Sequence, residues 1–220
     1  MMAEKNLEQR LLALSPDNPV GGVGGVPPKS ALCETFLRNT SGASMGGARR
    51  GRLPGSRGSV CAIGAFDGVH LGHRALIERA RSEALRRGDE LVVVTFSPDP
   101  SVVLCPGHPQ RMLLSDEGRL RALRSIEGVD RVVVLDFTQE LAALPYDRFV
   151  LETLGGLVGL DAIVVGSDFR LGAGGEGTVE ALSGLGRAHG FDVIGMDLLD
   201  EGGAPVTASR IRRLVGDGRV

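Results

Sequence analysis

The segment Gly64-Ala65-Phe66-Asp67-Gly68-Val69-His70-Leu71-Gly72-His73 decides the fold, because it joins an apolar run to a helix-length amphipathic stretch. The run that leads into it, Val60 to Ala65, is almost wholly apolar, which is typical of a strand covered on both faces. The stretch that follows, Gly72 to Arg87, repeats Leu and Ala at helical spacing among charged residues. A strand that passes directly into a helix predicts the first unit of a parallel α/β sheet.

The same alternation continues to the end of the chain. Further strands are predicted at Glu90 to Phe96, Arg131 to Phe137, Ala162 to Val165 and Phe191 to Met196. Helices are predicted from Ser115 to about Ile126, after Pro145, from Thr178 to His189 before Gly190, and from Ser209 to Val215 before Gly216. This order predicts a Rossmann-like open parallel sheet with right-handed crossovers, arranged as a three-layer α/β/α sandwich.

Composition limits the functions that the chain can perform. A length of 220 residues with 42% hydrophobic content allows one full domain and an appendage, and a net charge of −2 disfavours a globally basic, polymer-binding surface. We therefore expect small-molecule partners and no nucleic acid. The sequence contains no apolar run long enough to span a membrane and no signal-peptide pattern, so we expect a soluble cytoplasmic protein without a membrane partner. It does not indicate the oligomeric state.

Residues 1–58 differ in composition from the rest of the chain. Glycine, proline and serine clusters break any periodicity there, so we expect a disordered extension in front of a domain at residues 59–220. Ala3 to Leu14 is an exception that could form a short docking helix. The tract Arg49 to Arg57 has no aromatic residues between its charges, which favours a solvated linker over a nucleic-acid contact. Reduced, buried thiols are expected at Cys33, Cys61 and Cys105, because their number and spacing suit neither disulfides nor a metal.

The turn after the first strand has the composition of a phosphate site. Its glycines at 64, 68 and 72 allow the backbone to approach a ligand, and the helix that follows offers unpaired amides to an anion. Two histidines, His70 and His73, stand at the same point and can donate hydrogen bonds to phosphoryl oxygens. A metal site is disfavoured because helical ligand pairs are usually four residues apart and no carboxylate or cysteine cluster lies nearby.

The segment resembles the signature Gly-Asn-Phe-Asp-Gly-Val-His-x-Gly-His of the FAD synthetase (FMN adenylyltransferase) module of prokaryotic bifunctional riboflavin kinase/FAD synthetases. It also contains the His-x-Gly-His of the wider nucleotidyltransferase superfamily, and Phe66-Asp67-Gly68-Val69 narrows the resemblance to the flavin branch. Further stretches resemble the family in the same order: Val94 to Pro100, Leu114-Ser115, Phe137 to Ala142, Val165 to Gly172 and Val206 to Arg212. The resemblance covers about residues 59 to 220 and implies a sandwich of the nucleotidyltransferase type.

The resemblance implies transfer of AMP from ATP to FMN, giving FAD and diphosphate. It assigns the catalytic roles to His70, His73 and Arg212. ATP binding is implied for Gly64, Phe66, Asp67, Gly68, Gly72, Gly166, Asp168 and Ser209, whereas Arg210 could face solvent. Flavin contact is implied for Phe96, Phe149 and Phe169. Mg²⁺ is expected to bind mainly through substrate phosphates rather than through protein ligands.

Several positions depart from the family pattern. Ala65 replaces an asparagine, Asp99 a histidine, Leu171 an aromatic residue and Ala208 a hydroxyl residue, and Gly175 stands where a basic residue is common. The riboflavin kinase module would follow where this sequence ends, so we expect no such domain here and no phosphorylation of riboflavin. Two alternatives stay open: an adenylyl- or cytidylyltransferase that acts on another phosphate ester, and a weakened flavin- or nucleotide-binding regulator.

Overall fold

The computed structural model describes residues 57–108 and 110–219, and within them five parallel strands form a single sheet. The strands are β1 (Ser59–Ile63), β2 (Glu90–Ser97), β3 (Arg131–Asp136), β4 (Leu160–Gly166) and β5 (Asp192–Met196). Their order across the sheet is β3-β2-β1-β4-β5. From β1 the chain therefore adds β2 and β3 on one side of the sheet and then crosses back to add β4 and β5 on the other side. Open α/β sheets bind their ligands at such a change of direction, which lies here at the carboxyl end of β1.

The central strands are buried on both faces, as their unbroken apolar sequences predict. On β1, Val60 and Ala62 face one core cluster, whereas Cys61 and Ile63 face the other. Val60 pairs with Leu91 of β2 on one side and with Ala162 of β4 on the other. The sheet is thus the middle layer of the predicted three-layer sandwich.

Helices cover both faces of this sheet. They are α1 (Leu71–Arg87), α2 (Pro100–Leu104), α3 (Asp116–Arg124), α4 (Gln139–Ala142), α5 (Tyr146–Arg148), α6 (Gly155–Leu157), α7 (Val179–His189) and α8 (Ala208–Gly216). A π-helical segment, Phe149–Leu154, links α5 to α6. The predicted caps are present at Ser115, which accepts a hydrogen bond from Gly118 N, and at Gly190, whose φ of 83° is left-handed. The last helix begins one residue earlier than predicted, because Thr207 is its cap.

Other predictions have mixed outcomes. Cys61 is buried as expected, and burial raises its pKa to about 12. The prediction of a buried thiol is wrong for Cys105, which lies directly after α2 and is exposed. Cys33 and residues 1–56 lie outside the described residues, so the predicted disorder and docking helix stay predictions. None of the helices in the described ranges is long and apolar enough to cross a membrane.

Candidate active site

A cavity of about 280 Å³ opens where β1, β4 and β5 end. The turn after β1, the start of α1 and the start of α8 complete its wall. Predicted residues that line the cavity are Gly64, Phe66, His70, Gly72, His73, Gly166, Asp168 and Phe169. The sheet topology therefore gathers residues from positions 64 to 169 at one point, together with Thr207 and Ala208 of the last helix.

The turn between β1 and α1 has an unusual backbone. Phe66 and Val69 have φ angles of 54° and 40°, a left-handed region that is costly for residues with a Cβ. Gly68 has a φ of 79°, and a Cβ there would lie 2.7 Å from Leu113 Cδ1. Such a backbone persists only where surrounding contacts hold it.

The buried carboxylate of Asp67 supplies several of those contacts. It accepts hydrogen bonds from Leu113 N at 2.9 Å and from Leu114 N at 3.3 Å. It also accepts one from the Arg212 guanidinium at 2.8 Å. Asp67 and Gly68 do not line the cavity; they fix the turn that does. Direct ATP contact by these two residues stays a prediction.

The two histidines stack on each other at the mouth of α1. Their ring centroids are 3.6 Å apart and their planes are 19° from parallel, and Phe66 meets the ring of His73 edge-on. His70 caps α1, and its Nδ1 accepts a weak hydrogen bond from His73 N at 3.4 Å. Since Nδ1 accepts this bond, the neutral ring carries its proton on Nε2. His70 thus has one N–H available for a ligand.

Both imidazoles are held in the neutral form. Burial lowers the pKa of His70, although the Asp67 carboxylate opposes this effect. For His73, burial together with the adjacent His70 lowers the pKa to about 3. The Nδ1 atom of His73 is buried and has no hydrogen-bond partner among the described residues. Near neutral pH the pair therefore provides neutral N–H donors beside the cavity.

The last helix brings Arg212 to the turn after β1. Thr207 caps α8 by accepting from Arg210 N at 3.1 Å, and the helix N-terminus lies at the cavity wall. Arg212 is mostly buried, with 20% of its side chain exposed, and its Nη2 holds Asp67. Ser209 is exposed in the first turn and does not line the cavity, so its predicted phosphate contact stays a prediction.

Two glycines of the cavity wall lie where a side chain would intrude. A Cβ on Gly166 would lie 2.9 Å from Asp168 Oδ1, and one on Gly72 would lie 3.1 Å from the Val206 carbonyl oxygen. The exposed carboxylate of Asp168 lines the cavity across from the histidine turn. Glycine is therefore needed at both positions, 72 and 166, for the packing of the wall itself, and the close approach of a ligand to them stays a prediction.

The aromatic residues predicted for flavin divide into two groups. Phe169 is partly buried and lines the cavity. Phe96 and Phe149 are 5% and 2% exposed, pack in the core cluster on one face of the sheet and do not line the cavity. Phe137, which we did not single out from the sequence, is partly buried after β3, with its ring edge-on to Phe96 at 5.4 Å. Its position at the end of the third predicted strand was the sequence feature that could have drawn attention to it.

Sequence reasoning also missed a buried arginine behind the turn. Arg119 is completely buried on α3 and donates to the Ala65 carbonyl at 2.5 Å and to the Phe96 carbonyl at 2.7 Å. Its Nη2 also contacts Asp116 at 2.8 Å. It thereby joins the carboxyl ends of β1 and β2. Buried arginines are rare in amphipathic helices, and only the tertiary structure explains this one.

The departures from the family pattern have local explanations at three positions. Asp99 caps α2 by accepting from Ser101 N at 2.9 Å. Leu171 is buried in the core, where its backbone pairs with Gly177. At Ala65, the carbonyl accepts from Arg119 and from Thr95 Oγ1, so the backbone is held without an amide side chain. Ala208 lines the cavity, and Gly175 has a left-handed φ of 68°.

Comparison with known proteins identifies relatives of this chain. A family model described as FAD synthetase matches residues 54–210. The chain is 34% identical over 160 residues to the bifunctional riboflavin kinase/FMN adenylyltransferase of Escherichia coli K12, covering 73% of this chain and 51% of that protein. It is 36% identical to the Pseudomonas fluorescens protein of the same name, covering 72% and 50%. A protein named FAD synthetase from Listeria monocytogenes is 29% identical, with 74% and 65% covered.

The chain spans about half the length of the first two of these relatives. A solved structure described as a macrolide-efflux protein from Streptococcus pneumoniae matches with a TM-score of 0.65 and 28% identity. The match covers 79% of this chain and 55% of that one. The predicted α/β fold is therefore confirmed both by the sheet and by a solved structure.

Proposed function

This chain belongs to the FAD synthetase family, and from that premise we propose that it is an FMN adenylyltransferase, which converts ATP and FMN to FAD and diphosphate. The observation that carries the proposal is the stacked pair His70 and His73, which lines the cavity, with the ion pair of Asp67 and Arg212 close enough to influence His70. The family match by itself indicates AMP transfer to FMN. The site adds hydrogen-bond donors that can stabilise the negative charge that this transfer builds up on the α-phosphate.

In the proposed reaction, a phosphate oxygen of FMN attacks the α-phosphorus of ATP. A new P–O bond forms as the bond from the α-phosphorus to the bridging oxygen breaks, and diphosphate leaves with the electron pair. Neutral His70 and His73 donate N–H groups to the α-phosphoryl oxygens, where negative charge builds up. No covalent protein intermediate is needed, so the work of the residues is positioning and charge stabilisation.

In this proposal, Arg212 receives the leaving group. Its guanidinium is fixed by Asp67 at the N-terminal part of α8, and this helix end adds unpaired amides near the same wall of the cavity. We assign the diphosphate to this side. ATP would then lie along Gly64, Gly72, Gly166 and Asp168, with the flavin in contact with Phe169, the one of the three predicted aromatic residues that lines the cavity.

Mg²⁺ is part of this proposal as a partner of the phosphates, whose charge it neutralises when bound. Among the described residues, no three His, Cys, Asp or Glu side chains come together as a metal site. In this proposal, the ion takes its ligands mainly from substrate phosphates and water.

The test is to incubate the protein with ATP, Mg²⁺ and FMN and to separate the flavins by chromatography while assaying diphosphate. We expect FAD and diphosphate in equal amounts. Product from CTP alone would displace ATP as the nucleotide donor, and product from another phosphate ester but not from FMN would displace the flavin assignment. Folded protein that binds FMN and ATP yet makes no FAD would instead support a regulator.

A further inference from the structure

Next to the cavity, a short hairpin folds back between β5 and α8. Residues 199–206 form it through the bonds from Val206 N to the Leu199 carbonyl at 2.8 Å and from Glu201 N to the Ala204 carbonyl at 3.0 Å. We call it the 199–206 hairpin. Its tip contains Gly202 and Gly203, which both have left-handed φ angles. Its base, Leu199 and Val206, lines the cavity, as does Leu198 just before it.

Few contacts within the hairpin itself hold it in place. An isolated two-stranded ribbon is only marginally stable in water, and the glycines at the tip add conformational freedom. Leu198 and Leu199 are 38% and 37% exposed, so the core does not anchor them firmly either. Val206, at the other end of the base, is 7% exposed and is held by the core, so it is the Leu199 side of this wall that a contact from outside the hairpin can stabilise.

Arg210, in the first turn of α8, makes that contact. Its guanidinium donates to the Ala204 carbonyl at 2.6 Å, to the Glu201 carbonyl at 3.0 Å and to the Pro205 carbonyl at 3.4 Å. One side chain thus joins both strands of the hairpin to the helix that carries Arg212. The planar fork of arginine suits such a set of carbonyls, because it donates in several directions without moving.

We propose that Arg210 is a positioning residue that holds the 199–206 hairpin as the apolar wall of the nucleotide cavity. It does not line the cavity, so it acts on ATP through Leu198, Leu199 and the start of α8. This inference rests on the proposed function, since it takes ATP as the occupant of the cavity. Without the clamp, the hairpin spends part of its time open, and the apparent affinity for ATP is the intrinsic affinity multiplied by the fraction of molecules that stay closed.

Arg210→Met tests this inference, with Arg210→Lys as the conservative variant and Arg213→Met as the matched control. Arg213 lies on the same helix with an exposed side chain. We expect Arg210→Met to weaken ATP binding, measured by calorimetry without FMN, by about tenfold. The KM for ATP should rise equally, while kcat and the KM for FMN change less than twofold. Arg210→Lys should recover part of the loss, and Arg213→Met should match the unaltered protein.

Hydrogen exchange gives a second readout that does not depend on turnover. The amides of Glu201 and Val206 should exchange faster in Arg210→Met, whereas those of β1 and β4 should not change. Unaltered ATP affinity, or unaltered exchange in the hairpin, would overturn the inference. If the unaltered protein binds ATP but makes no FAD, the proposed activity fails while the binding comparison still decides the role of Arg210. If it does not bind ATP, both are overturned.

Discussion

Asp67 and Arg212 are 145 residues apart in the chain, yet their side chains meet at 2.8 Å behind the turn that carries the two histidines. Asp67 is 3% exposed and belongs to the first turn, whereas Arg212 belongs to the last helix. The contact therefore ties the two ends of the domain together at the candidate active site. In the proposed reaction, it also holds the cation to which we assign the diphosphate.

Asp67→Asn should destabilise the fold and lower FAD synthesis. It keeps the shape of the side chain but leaves Arg212 without its anion, and breaking a buried pair costs about 3 to 5 kcal/mol. Urea denaturation measures the loss in unfolding free energy. Glu78→Gln is the control: Glu78 pairs with Arg81 on the surface and is 60% exposed, so this change should cost less than about 0.5 kcal/mol. Equal effects of the two substitutions would contradict a special role for the buried pair.

His73→Ala should lower kcat about a hundredfold or more, because it removes one donor to the charged transition state. We expect only about 1 kcal/mol of lost stability, since one partly buried ring is removed. Steady-state FAD formation and chemical denaturation measure the two effects. His189→Ala, at the end of α7, is the control and should leave both unchanged. Normal turnover in His73→Ala would remove His73 from the mechanism.

The lowered pKa of His73 predicts a pH dependence of stability. The folded protein holds His73 neutral down to a pKa of about 3, whereas an unfolded histidine binds its proton near 6.5. The unfolded state therefore binds more protons between these values, and stability falls as the pH decreases through this window. At pH 5 the penalty is about 2 kcal/mol relative to pH 7.5. His73→Ala should lack this part of the decrease in unfolding free energy, and parallel pH profiles for the two proteins would refute it.

Gly68→Ala should destabilise the protein by about 2 kcal/mol or more, because it places a Cβ in a left-handed backbone and against Leu113. Gly216→Ala is the matched control. It lies at the end of α8, and a Cβ there would meet nothing within 4 Å. Alanine in a helix is favoured over glycine by about 0.5 to 1 kcal/mol, so this variant should be unchanged or slightly stabilised. Thermal denaturation distinguishes the opposite signs.

Arg119→Met should unfold more easily, by about 3 kcal/mol, because the Phe96 carbonyl loses this donor, the Ala65 carbonyl keeps only Thr95, and Asp116 loses its cation. Arg119→Lys should retain part of this stability and be the more active of the two variants. Arg121→Met removes an arginine from the same helix whose side chain is 72% exposed, and we expect no measurable effect. A similar loss in all three variants would indicate general damage to α3.

The repeating strand and helix units were readable from local pattern. Every predicted strand is present, with ends that differ by at most two residues, because apolar runs, caps and terminal glycines act within a few neighbours. The histidine turn was recognised for the same reason. Contacts between distant segments produce no local sequence pattern. The sequence therefore did not predict the buried contacts of Arg119 or the hydrogen bonds from Arg210 to the 199–206 hairpin.

The sequence by itself determined the order of strands and helices, the family and the residues from which the turn after β1 is built. Only the tertiary structure decided that Asp67 accepts hydrogen bonds from Arg212 and from backbone N–H groups. It also decided that Phe96 and Phe149 belong to the core, and that Arg210 holds a wall of the cavity. The physical reason is the separation along the chain over which each effect acts. Propensity and periodicity act between neighbours in the chain, whereas burial, ion pairing and the orientation of a long side chain depend on which elements the sheet brings together.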